Sequence, residues 1–148
     1  MIIIAVACLV VGFVSYDILM QIGIAGAVER QSPANRITTD AIKVTDHQVI
    51  LNLQDVRWAE FTNTDSMDPL FDQSNHALEM IPLFPSEIQE GDIISYITEN
   101  GIIIHRVIKI GIDSEGWFAV TKGDNILFKD KEKVRFSQVV GVVVAILY

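Results

Sequence analysis

The chain has 148 residues, half of them hydrophobic, with 11 Lys and Arg against 19 Asp and Glu for a formal net charge of -8. That balance excludes a nucleic-acid binder, which needs a basic face to neutralise phosphates. The single cysteine, Cys8, excludes an intrachain disulfide framework and a cysteine-built zinc site, so no metal or other cofactor is expected.

Residues 1–28, MIIIAVACLVVGFVSYDILMQIGIAGAV, carry one formally charged side chain, Asp17. A spanning helix needs about 20 mostly apolar residues, and this stretch is long enough. The small residues Ala25–Gly26–Ala27 resemble the cleavage site of a secretory signal. Such a signal would have a basic leading region and a shorter apolar run. The expectation is therefore a single-pass membrane anchor over 1–28, with a cleavable signal as runner-up and a buried core helix third. A carboxylate at bilayer depth costs about 2.5–3.5 kcal/mol, so Asp17 is placed near an interface. Arg30 and Arg36 follow the span and weakly favour a cytoplasmic C-terminal side by the positive-inside rule.

Residues 29–36, ERQSPANR, are polar and contain a proline, and 29–46 reads as a linker and lead-in to a β-rich domain over 47–148. Strand-like runs follow: HQVILNL (47–53), VRWAEFT (56–62), DIISYIT (92–98), GIIIHRVIKIG (101–111), WFAVTK (117–122) and QVVGVVVAIL (138–147). The Glu99-Asn100-Gly101 turn predicts a hairpin between the third and fourth. Gly141 suggests a bulge in the last run. The region 72–90, with Pro82 and Pro85, reads as mostly loop. The expected fold is mostly β, a small antiparallel domain behind one N-terminal transmembrane helix.

Chemistry concentrates in two loops and one strand. TNTDSMDPLF (62–71) holds Ser66, and TKGDNILFKD (121–130) holds two carboxylates, Asp124 and Asp130. A serine hydroxyl is a poor nucleophile without a base, which can be a histidine oriented by a carboxylate or a neutral lysine. His47 and His76 stand in polar surroundings and read as surface residues, whereas His105 lies within the apolar run IIIHRVI. Taken singly, each feature has an ordinary structural explanation, because short motifs match often by chance.

In this order, SMDP (66–69), GDIISY (91–96), HRV (105–107), TKGDN (121–125) and Asp130 resemble the type I signal peptidases, on the archaeal and endoplasmic-reticulum branch. The resemblance covers roughly residues 56–147, and the N-terminal anchor fits it. Bacterial relatives and the LexA-type self-cleaving repressors use a lysine base. Here histidine precedes Arg106-Val107, which matches the Ser-His-Asp branch, and Lys122 belongs to that branch's TKGDN motif.

The resemblance implies a signal-peptidase/LexA-like β fold, with Ser66 as nucleophile and His105 as general base. Asp130 is the first choice for the carboxylate that orients His105, and Asp124 the second. The Ser66 N–H and the Thr64 hydroxyl would form the oxyanion hole. Phe61, Met67 and Leu70 would help to wall pockets for small substrate side chains. In the resembled families a glycine commonly precedes the serine. Here Asp65 stands there, and its carboxylate is expected to cap the turn by accepting a backbone N–H.

The implied activity is removal of N-terminal signal peptides from secretory preproteins after small residues, by a membrane-bound serine endopeptidase. Its partners would be preproteins, membrane lipid and accessory membrane subunits. The resemblance places the catalytic domain on the extracytoplasmic side of the cell membrane, against the charge signal. Two alternatives are a protease of the same fold acting on other membrane proteins or itself, and a catalytically silent membrane-anchored β module.

Overall fold

A computed structural model describes residues 29–148. The membrane anchor expected over 1–28, with Cys8 and Asp17, lies outside the described residues. Among the described residues no helix is long and apolar enough to cross a membrane. Residues 31–148 form one compact unit.

Nine strands make up that unit. β1 (Ile42–Val44) and β2 (Val49–Leu51) form a separate hairpin closed over Thr45–Gln48. The other seven are β3 (Val56–Glu60), β4 (His76–Met80), β5 (Ile93–Thr98), β6 (Gly101–Asp113), β7 (Gly116–Lys122), β8 (Val134–Arg135) and β9 (Val139–Leu147). They make one sheet in the order β3-β4-β9-β5-β6-β7-β8, with every pairing antiparallel. The predicted β5–β6 hairpin is present, with Thr98 opposite Gly101. Gly101 has φ +121, a conformation open to glycine and costly for other residues.

The central strands explain the unbroken apolar runs. Ile93 and Val143 point into one hydrophobic cluster with Ala59, Phe61, Met67, Phe71 and Ala77. Their chain neighbours Ile94 and Val142 point into a second, with Ile88, Tyr96, Val107, Ala119 and Val134. A strand covered on both faces reads as continuous hydrophobe rather than alternation.

The stretch 72–90 is mostly loop, as expected, but it also holds β4, which is paired on both sides with β3 and β9. HALEM hid its strand character because Glu79 occupies a buried position. Charged residues are almost never fully buried unless paired, and here Arg57 lies directly across from Glu79 on β3. His76, expected at the surface, is half-buried on β4 with its ring 4.9 Å from that of Trp58. His47 is exposed, as expected. Gly141 does lie beside a register shift in the β5–β9 pairing.

Among the strand edges left open in the described residues are that of β3 and one along the start of β6. β3 pairs only with β4. β6 pairs with β5 from Gly101 onward, but its pairing with β7 begins only at Arg106, so residues 101–105 leave one edge without a strand partner.

Candidate active site

Ser66 opens a tight turn after β3, and the chain after β7 holds that turn. The Asn125 N–H donates to the Ser66 carbonyl at 2.9 Å, and Asn125 Nδ2 donates to the Asp65 carbonyl at 2.9 Å. Gly123 is the point of closest approach. A Cβ there would meet the Ser66 carbonyl oxygen at 2.6 Å and His105 Nε2 at 3.0 Å. The glycine of TKGDN therefore lets the serine turn and the histidine ring close on one spot.

His105 is buried on β6. Its Nδ1 lies 2.8 Å from Asp130 Oδ2. Asp130 also accepts from the Tyr96 hydroxyl at 2.9 Å, which in turn accepts from Thr121 Oγ1 at 3.2 Å. The Asp130 N–H donates to the Thr121 carbonyl at 2.9 Å, so the loop 123–129 is closed at its base and the carboxylate is aimed back at the sheet. Burial pushes the Asp130 carboxyl up, but the groups of His105, Thr121 and Tyr96 outweigh it, and the pKa lies below the ordinary 3.8. Asp130 is thus ionised at neutral pH and accepts a hydrogen bond from His105 Nδ1–H. The lone pair of the neutral ring then sits on Nε2, the nitrogen beside Gly123 and the Ser66 turn. Burial pushes the Tyr96 phenol well up, so it stays a donor.

Asp124 does something different. Its two oxygens accept from Arg106 Nε at 2.9 Å and Nη2 at 2.7 Å, both side chains being buried. Arg106 Nη1 also donates to the carbonyls of Gly91 and Gln31, at 2.8 and 3.1 Å. Of the two candidate carboxylates, Asp130 therefore touches His105, while Asp124 ties Arg106 to the loop and, through its N–H, contacts Met67 Sδ at 3.4 Å. Asp92 of the GD pair is also buried. It accepts from the N–H groups of Gln89 and Ala34 and from Arg36, fastening residues 34–36 to the domain.

Ser66 Oγ lies 3.1 Å from Thr64 Oγ1. Among the described hydrogen bonds none joins Ser66 to His105, and none uses the Ser66 N–H. Both side chains line one cavity of about 830 Å³, together with Thr64, Phe61 and Met67. Leu70 does not. The turn over 66–70 carries it away to pack on the core and line a smaller cavity of about 280 Å³ with residues 33–37, which corrects its expected place in the substrate wall. Phe61 stacks on Phe71, centroids 4.0 Å apart, and Met67 is buried, so both are core and wall at once.

Asp65 has φ +53. Its carbonyl is bonded, but its carboxylate makes no hydrogen bond among the described residues, so the expected side-chain cap is replaced by backbone geometry. Aspartate is one of the few side chains that tolerates this left-handed region. Sequence reading missed Tyr96 and Thr121, although Tyr96 stands in GDIISY and Thr121 in TKGDN. Compared with protein-family models, with curated proteins and with solved structures, the chain gives no match.

Proposed function

We propose that the protein is a membrane-bound serine endopeptidase of the signal peptidase I type, working through Ser66, His105 and Asp130. The observation that carries this reading is the 2.8 Å contact of His105 Nδ1 with an ionised Asp130, on a ring whose other nitrogen faces the Ser66 turn. Ser66 Oγ attacks the peptide carbonyl while His105 Nε2 takes its proton. Asp130 holds the tautomer and stabilises the imidazolium without becoming protonated. The proton passes to the leaving amine, the C–N bond breaks, and an acyl-serine remains. Water, deprotonated by the same imidazole, then releases the acid and regenerates Ser66. The Ser66 N–H and the Thr64 hydroxyl would donate to the oxyanion, and both residues line the cavity.

Two of the open edges would give the substrate a place. Residues 57–62 after and along β3 and residues 102–105 of β6 line the same cavity. An extended peptide can add as a strand along such edges, its side chains alternating into pockets. A preprotein confined to the same membrane by an anchor would meet the site at raised effective concentration.

The second reading, a catalytically silent membrane-anchored module, draws on the Ser66–Thr64 bond, which occupies the hydroxyl away from His105. Catalytic hydrogen bonds often form only in the substrate complex, which favours the peptidase. The test is cleavage of a model preprotein in liposomes by the wild type and by Ser66→Ala. Cleavage by the first and not the second is expected. Equal cleavage, or none by a folded wild type, would sink the reading.

A further inference from the structure

The cavity has a second polar end that the proposed chemistry does not use. Glu79 on β4, fully buried, lines it with Arg57 of β3 and Ser95 of β5. Neither carboxylate oxygen of Glu79 has a hydrogen-bond partner among the described residues, and neither does the Ser95 hydroxyl, which is also buried. Arg57 Nε lies 3.2 Å from Glu79 Oε2, an ion pair without hydrogen-bond alignment. Burial pushes the Glu79 carboxyl above its ordinary 4.5; Ser95 and Arg57 stand near enough to pull it back, but neither reaches hydrogen-bond geometry.

The sheet makes room for this group. Ser95 is paired with Gly141 of β9 on one side and with Ile104 of β6 on the other. A Cβ at Gly141 would meet Glu79 Cβ and Oε2, each at 2.8 Å. The glycine therefore lets the Glu79 side chain lie across β9 toward Ser95. Ile104, the last residue of this row, immediately precedes His105. Buried polar groups in folded proteins are nearly always hydrogen-bonded, and a cluster of orphans at the wall of a cavity marks where a ligand's polar group is taken up.

We propose that Glu79, Arg57 and Ser95 form a specificity subsite that accepts a neutral side chain bearing a hydrogen-bond donor, a hydroxyl or carboxamide, from the peptide bound at Ser66. The ligand is neutral because Arg57 already balances the charge of Glu79. It donates because the unfilled positions on Glu79 are acceptor lone pairs. The hydroxyl of Ser95 can accept a second N–H or donate to a carbonyl, which suits a carboxamide. The inference rests on the peptidase reading for the identity of the ligand as a peptide, and on the orphaned groups alone for its chemistry.

The test uses the full chain in detergent and peptides that place Thr or its isostere Val at each residue preceding the scissile bond in turn. At one position the Thr peptide should exceed the Val peptide in kcat/KM by about 10- to 100-fold, the ratio that a hydrogen bond to a charged group is worth. That ratio, read within each variant, should collapse in Glu79→Leu and fall in Ser95→Ala. The second change keeps the ion pair in place should the first fail to fold. A Lys peptide preferred over Thr, a ratio near one at every position, or a ratio unchanged in both variants overturns the subsite. Binding of the same peptides to Ser66→Ala separates the two proposals. A Thr preference there that Ser95→Ala weakens supports the subsite even if the wild type cleaves nothing. Equal binding of Thr and Val peptides overturns it even if the wild type cleaves.

Discussion

At the scale of single residues, the two aspartates of one loop carry opposite burdens. On the peptidase reading, Asp130→Asn removes the charge that faces His105, and cleavage should fall by the ~10⁴-fold typical of a neutralised triad carboxylate, with the domain still folded and its Tm modestly lower at neutral pH. Asp124→Ala leaves the buried Arg106 guanidinium without its carboxylate, which costs about 3–5 kcal/mol of stability. Paired kinetics and thermal melts check both. The reverse pattern would mean that the roles are exchanged. Asp65 makes a third case. Its φ of +53 suits glycine, so Asp65→Gly should hold or raise Tm and Asp65→Asn should leave it unchanged. Asp65→Val should lower stability by roughly 1–2 kcal/mol, the cost of a left-handed backbone for an ordinary side chain. Ser66 and His105 were legible because each sits in a motif of consecutive residues. The choice between Asp124 and Asp130 was not, since it depends on how a short loop folds back, with its closure set by one backbone bond to Thr121.

At the scale of elements, the loop after β7 acts as a spacer between a turn and a strand. Gly123→Ala puts a methyl against the Ser66 carbonyl and His105 Nε2 together. The expected result is a large loss of kcat with a folded protein by circular dichroism, because the serine turn must shift. Full activity would show that the turn has slack. Six strands could be read from composition, since their apolar and β-branched runs are the local signature of a sheet. β4 could not, because Glu79 makes sense at a buried position only once Arg57 stands opposite. β1, three residues inside the expected lead-in 29–46, and β8, two residues long, are too short to show a periodicity. Glu79, Arg57 and Ser95 were illegible as a group for the same reason, being neighbours across strands and never along the chain.

For the molecule as a whole, Asp130 and Glu79 respond to acid in opposite senses. The Asp130 pKa is depressed, so its contribution to stability is present above the ordinary 3.8 and disappears as pH falls through the folded value. The Glu79 pKa is raised, so its contribution is present below the ordinary 4.5 and disappears as pH rises through the folded value. Denaturation midpoints measured across this range should show Asp130→Asn converging on the wild type as the solution is acidified. Glu79→Gln should gain on the wild type as pH rises from 4.5. Parallel curves for either variant would mean that the group is not perturbed in the fold.

The unpartnered edges of β3 and of the first half of β6 carry one more consequence. On the peptidase reading, a groove that offers backbone hydrogen bonds sorts its clients by shape before any pocket inspects a side chain. A segment that reaches the site as a helix has already spent its N–H and C=O groups on itself and has none to offer. The helix must melt locally before cleavage, and the rate then contains the cost of that melting. A proline or glycine placed just upstream of the scissile bond should speed cleavage of a helical leader, and an alanine-rich replacement should slow it, with no contact to the protein altered. The site would thus read secondary structure as its first letter.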